Sequence, residues 1–224
     1  MALNEKSSAA SSPTREMRYA VLPDRMPPIP IEKMTDAQKK IAAEIAAGPR
    51  GKVEGPYWPI LRSPEFASHM QKVGAYVRYD CPLDRKINQM AALMVARSWT
   101  QQFVWDVHIL QALEAGLKPA IAEAIAEGRR PAGMAEDEEI LYDFVTELLA
   151  NKSVSDPTYA RTVAKFGEPG IIDILGIIGY HMTLALIMNV SRAPLLEGRS
   201  FPLEPTPSQL RFLTPGAALR GWRG

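Results

Sequence analysis

The run from Ile171 to Val190, IIDILGIIGYHMTLALIMNV, most constrains what this chain can fold into, because it is long and apolar enough to cross a bilayer. Asp173, His181 and Asn189 interrupt it, and polar groups of this kind are costly in lipid. Gly176 and Gly179 suit close packing against another helix. The run is therefore expected to be a buried helix of a soluble core, with no membrane partner. A helix this apolar needs cover on most sides.

A chain of 224 residues is long enough to build that cover as one domain. A formal net charge of +1 gives no reason to expect nucleic acid or an anionic membrane as partner. Cys81 is the single cysteine, so no internal disulfide and no CxxC pair exist, which fits a reducing compartment. The first nineteen residues, MALNEKSSAASSPTREMRY, lack the apolar core of a secretory signal and carry acidic residues that a transit peptide avoids, so the protein is expected in the cytoplasm.

Helical punctuation is dense. Thr35 and Gln38 form a capping-box signature for a helix to Ala47, stopped by Gly48 and Pro49. GPRGKVEGPYWPILRSPEF is a Gly/Pro-rich loop, too apolar for a simple linker. Ser63-Pro64 opens a helix to about Tyr79, with Phe66, Met70, Val73 and Val77 facing inward. Leu83 to Arg97 is the next helix, a corner follows at Ser98 to Gln101, and another helix runs to Ala115 with Gly116 as its stop. Helices are also expected from Lys118 or Pro119 to Glu127, from Ala135 to Asn151, and from Asp156 to Phe166-Gly167, with a restart at Pro169. No segment alternates with period two over strand length, so the fold class is all-α. Residues 1–33 and 194–224 lack an apolar period and read as arms around a helical domain at 34–193; the second is either disordered or draped over a neighbouring subunit, and Phe201, Leu203, Phe212 and Trp222 favour draping.

Chemistry concentrates in the hairpin QMAALMVARSWTQQFVWDVHILQALEAG. Gln101, Val104, Trp105 and His108 share one helical face, which sets an imidazole beside an indole. Histidine titrates near neutral pH and passes protons in either direction; the alternative role is a core histidine held by one partner. Gln89, on the partner helix, can face His108. His181, beside Tyr180, needs a hydrogen-bond partner where it is buried and can complete a polar pocket. No metal-ligand spacing links the three histidines, so no metal is expected. Among Arg62, Arg78 and Arg97, one can hold a carboxylate in two-pronged geometry.

The segments LDRKINQMAALMVAR, FVWDVHILQALEAGLKPAIAEAI and IIDILGIIGYHMTLALIMNV together resemble the carboxymuconolactone decarboxylase family, of the alkyl hydroperoxidase D-like superfamily, over roughly residues 50 to 193. Trp105 and His108 match its core pattern, and Gly116-Leu117 follow in register. Val104 stands where the pattern has Glu, and Gln89 where the redox branch has Glu; the CxxC positions of that branch hold Gln101 and Val104, which excludes thiol peroxidase chemistry as far as the resemblance reaches.

The resemblance implies an all-α multi-helix bundle assembling as a homotrimer or homohexamer. The implied activity is a cofactor-free lyase acting on a small carboxylated lactone or related aromatic-catabolism acid. In that expectation His108 donates the proton, Gln89 orients the imidazole or donates to the lactone oxygen, Arg97 and then Arg78 hold a carboxylate, and Trp105 and Tyr180 wall the pocket, which Gln101, Val104 and His181 complete. An isomerase or cyclase on the same fold, and a non-catalytic binding or assembly protein, are the alternatives.

Overall fold

The computed structural model describes residues 23–195 and 203–204, and these form eight α-helices and no strand. The helix α1 (Asp36–Ala47) begins with the reciprocal cap expected at Thr35: Gln38 N donates to its hydroxyl at 3.2 Å, and Thr35 N donates to Gln38 Oε1 at 2.9 Å. The Gly/Pro-rich loop contains one helical turn, α2 (Tyr57–Ile60), which exists because Tyr57, Pro59 and Ile60 are buried. Next comes α3 (Pro64–Ala75), which widens into a π-type turn over Tyr76–Asp80.

The inward face of α3 differs from the sequence expectation. Met70 and Val77 are buried, but Phe66 and Val73 are 42% and 45% exposed. The buried face runs instead through Ala67, Met70 and Gly74. Two small residues there admit neighbouring side chains, among them Tyr180, so the helix is rotated by about one residue from the stripe of largest apolar groups.

The central element is α4 (Arg85–Ser98), capped by Asp84, whose carboxylate accepts from Lys86 N and Ile87 N. All ten residues from Ile87 to Ala96 are buried, the signature of a helix enclosed on every side. It packs against α5 (Gln102–Glu114), α6 (Pro119–Ala126), α7 (Glu136–Asn151) and α8 (Asp156–Ser191). The corner between α4 and α5 turns through Thr100 at φ 46°, and Gly116 at φ 96° ends α5.

The acidic start of α7 matches the positive end of the helix, and it also anchors it: Glu138 accepts from Ala135 N at 2.7 Å and pairs with Lys86 on α4 at 3.0 Å. In α8, Gly167 at φ 70°, ψ 169° breaks the helical geometry, so two segments meet at a kink at the expected stop. Long and apolar enough to cross a membrane by length and composition, α8 has half of its most apolar window buried inside the fold.

Parts of both expected arms are described, and both touch the core of their own chain, which for residues 203–204 differs from the expected neighbouring subunit. Arg25 N donates to Ser191 O at 2.8 Å, and Arg62 Nη2 donates to Pro27 O at 2.7 Å. Leu203 is 1% exposed, and the side chain of Gln102 on α5 bonds its backbone twice, donating to the carbonyl at 2.7 Å and accepting from the amide at 2.9 Å. Phe201, Phe212 and Trp222 lie outside the described residues.

Candidate functional site

Three helices converge on one buried polar chain. Gln89 on α4 meets His108 on α5, with 2.6 Å between Gln89 Oε1 and His108 Nδ1. His108 Nε2 lies 3.2 Å from His181 Nε2 on α8, and the rings stand at 90° with centroids 4.7 Å apart. His181 Nδ1 donates to Ile177 O, one turn earlier, at 2.8 Å. All three side chains are nearly inaccessible to solvent, so their hydrogens must be placed among these partners.

That placement has two solutions. A carbonyl only accepts, so His181 Nδ1 carries a hydrogen; in a neutral His181 the Nε2 lone pair faces His108, and His108 must be protonated on Nε2. His108 Nδ1 is then an acceptor, and Gln89 must turn its NH2 group to it. With the Gln89 oxygen on Nδ1 instead, acceptors cap both ends and three hydrogens sit on two imidazoles, which is one shared positive charge. The two states differ by one proton and a half-turn of one amide.

Burial favours the neutral state. It pushes His108 well below the ordinary histidine value, helped by His181, Arg78, Arg85 and Arg50. His181 is lowered to about 4, again chiefly by burial, with Arg78 and Arg50 adding to the effect and the bond to Ile177 opposing it. In either state both nitrogens of His108 are engaged. Proton exchange with a ligand therefore requires one of these bonds to be traded for a bond to the ligand.

Above His108 lies a cavity of about 130 Å³, lined by Arg50, Lys52, Glu54, Tyr57, Arg78, Val104 and Leu184 among others. Lys52 pairs with Glu54 at 2.8 Å, which leaves Arg50 and Arg78 as the excess charge on its walls. Both are half-buried, where a guanidinium holds an anion better than it does in open water. Arg50 Nη2 donates to the Tyr180 hydroxyl at 2.8 Å, its guanidinium lies 4.5 Å from the Tyr57 ring centre, and the Tyr57 and Tyr180 hydroxyls are 3.1 Å apart.

Of the residues singled out from sequence, Gln89, His108 and His181 form the chain, while Val104 and Arg78 line the cavity. Tyr180 stands behind it, bonded to Tyr57 and Arg50. Gln101 does not reach it: its oxygen caps α5, accepting from Phe103 N at 2.7 Å and Val104 N at 3.2 Å, and its NH2 group donates to Asn189. Trp105 is packed in the core and is not among the lining residues. Arg97, expected to hold a carboxylate, is not among the lining residues: at the C-terminal end of α4 it lies beside Gly128 and donates to Glu204 O at 2.7 Å, so the returning C-terminal segment occupies its guanidinium.

Arg50 and Tyr57 were not singled out from sequence. They sit in the aperiodic loop, where only the unusual apolarity around Tyr57-Trp58 signals that it packs over something. Burial, with Asp173 adding to it, pushes the Cys81 thiol up against the opposing bonds at Leu83 and Asn88, which disfavours the reactive thiolate. Among the described residues no group of three His, Cys, Asp or Glu side chains gathers in metal-binding arrangement. A larger groove of about 550 Å³ between α7 and α8 has its charges matched internally, with Arg161 bonded to Asp143 at 2.9 Å and to Glu139 at 3.3 Å.

No family model and no curated protein matches the chain. A solved structure from Agrobacterium tumefaciens, a protein of unknown function provisionally described as the antioxidant defence protein AhpD, is similar to it at 21% identity with a TM-score of 0.54. The likeness covers 60% of this chain and 93% of that one. At that identity it is the fold that is shared: this chain is an all-α helical bundle of the AhpD-like type.

Proposed function

We propose that the protein is a cofactor-free lyase of the carboxymuconolactone decarboxylase kind, acting on a small carboxylated lactone or related acid. One observation carries the reading: Arg50 and Arg78 flank a small cavity that has a hydrogen-bonded pair of buried imidazoles against it. The arginines hold the substrate's carboxylates, and the negative charge that arrives offsets the burial that keeps the imidazoles neutral. The pair then takes up a proton. Carbon dioxide leaves, its bonding electrons pass into the lactone, and His108 returns the proton to carbon once its bond to Gln89 is exchanged for one to substrate.

A second reading has its own support. Burial favours neutral rings in the pair, and a neutral imidazole is a base, so an isomerase that removes and returns a proton without releasing carbon dioxide fits the same residues. The antioxidant description of the Agrobacterium protein is not carried over, since a dithiol cycle needs two cysteine thiols and this chain has one cysteine. The single thiol fits a cytoplasmic setting.

Assembly as a homotrimer or homohexamer belongs to the same proposal. Supporting it, α8 presents Ile172, Gly176, Gly179, Thr183, Leu186 and Val190 at alternating spacings of four and three, with Ile172, Leu186 and Val190 at 66%, 44% and 58% exposure. No heavy atom outside the helix backbone lies within 4 Å of where a Cβ would stand on either glycine.

Trapping of released carbon dioxide from candidate lactone acids tests the chemistry. With the true substrate, His108→Ala is expected to lower turnover at least about 100-fold. Turnover within about threefold of the parent, under 1 kcal/mol in barrier, removes His108 as the donor. Proton exchange at carbon without carbon dioxide selects the isomerase, and ligand binding without either reaction selects a binding protein.

A further inference from the structure

Hydrogen-bond direction around Arg50 assigns a role to a residue that the proton chemistry does not use. A guanidinium has no acceptor, so in the 2.8 Å contact Tyr180 receives from Arg50. Tyr180 is buried and must place its own hydrogen, and the acceptor beside it is the Tyr57 oxygen at 3.1 Å. Both hydroxyls are buried, Tyr57 at 2% and Tyr180 at 3% exposure, so either direction leaves one hydrogen without a protein acceptor, and only on Tyr57, which lines the cavity, can a ligand supply that acceptor. The bonds therefore run from Arg50 to Tyr180 to Tyr57, and the hydrogen left over belongs to Tyr57, a residue lining the cavity.

The cluster is held in place. A Cβ on Gly74 of α3 would overlap both Arg50 Nη2 and the Tyr180 hydroxyl, so glycine there is the notch in which they meet. Burial pushes the Tyr57 ionisation far up, so its phenol stays a hydrogen donor throughout the working pH range.

We propose that Tyr57 determines the specificity of the cavity by donating to an acceptor oxygen of the ligand other than the carboxylate, the lactone or keto oxygen of a small carboxylated acid. The inference rests on the carboxylate reading above and adds the second recognition element. A site built to give a hydrogen bond discriminates strongly against an analogue that cannot receive it. Tyr180 acts through Tyr57 as a positioning residue, with Arg50 fixing its direction.

Titration calorimetry of the full chain with a matched pair of acids tests this: γ-carboxy-γ-butyrolactone, and cyclopentanecarboxylate, which keeps the carboxylate and lacks the lactone oxygens. The parent is expected to bind the lactone acid about tenfold more tightly, the worth of one good hydrogen bond. Tyr57→Phe should bring the ratio of the two affinities to about one. Gly74→Ala, which closes the notch and moves Arg50 off Tyr180, should lower the ratio with Tyr57 intact; it also decides the matter if Tyr57→Phe does not fold. A ratio unchanged in these variants, or a parent that binds both acids equally, overturns the role of Tyr57 and leaves the carboxylate reading standing. A parent that binds neither acid overturns the carboxylate reading, and this inference with it.

Discussion

The Nε2 atoms of His108 and His181 face each other at 3.2 Å across the α5–α8 contact, 73 residues apart in sequence. Each ring has its other nitrogen on an amide group, Gln89 on one side and the Ile177 carbonyl on the other. This closed arrangement makes the pair's protonation a property of the folded state.

Stability should therefore depend on pH with a definite sign. His181 is lowered to about 4, and His108 also lies below the ordinary value of 6.5. The unfolded chain binds protons on both histidines as the pH falls below about 6.5, while the folded chain resists. The stability is present above that pH and is lost on acidification toward the folded values. Denaturant unfolding between about pH 7 and pH 5 should show a loss approaching 1.4 kcal/mol per pH unit for each histidine held neutral. A flat profile over that window contradicts the neutral pair.

Gln89→Glu should invert the electrostatics. A carboxylate opposite His108 Nδ1 favours the imidazolium, so the histidine ring resonances in NMR should titrate at least about one pH unit higher than in the parent. Unchanged titration would place the Gln89 side chain away from Nδ1 in solution.

How far the sequence carried the reading differs by element. The capping box at Thr35, the stop at Gly116 and the kink at Gly167 are local signals, set by backbone chemistry within a few residues, and they were legible. So was the meeting of Gln89 with His108, because a hairpin with a short corner leaves few registers. Arg97 misled because a helix-end arginine next to the functional hairpin gives no clue to direction; its partner, the Glu204 carbonyl, is 107 residues away. Arg50 and Tyr57 were missed because a loop has no period to show which side chains turn inward. The face of α3 was misjudged because its burial follows small residues, Ala67 and Gly74, rather than large ones.

The C-terminal segment should contribute measurably to stability. Leu203 is 1% exposed, and full burial of a leucine is worth about 1.5–3 kcal/mol. Leu203→Ala should lower the unfolding free energy by about 1–3 kcal/mol in urea titration. A change within about 0.5 kcal/mol, typical of a surface site, would show that the segment is undocked in solution.

On the α8 stripe, Leu186→Glu places a charge at a 44% exposed position that a neighbouring subunit would have to desolvate. Light scattering after gel filtration should find the parent as a trimer or hexamer and the variant shifted toward monomer with its helical circular dichroism retained. A monomeric parent, or a variant of unchanged mass, removes this stripe as the subunit contact.

In the proposed function the cavity over His108 receives a small carboxylate between Arg50 and Arg78. The most direct measurement is an NMR titration of the parent, Arg50→Ala and Arg78→Ala with cyclopentanecarboxylate, following the His108 and His181 ring signals. In the parent these signals should shift saturably and move toward the protonated position, and each arginine variant should weaken binding about tenfold or more, as loss of a charge-assisted hydrogen bond does. Ring signals that stay fixed while the acid binds, or affinities indifferent to both arginines, would contradict it.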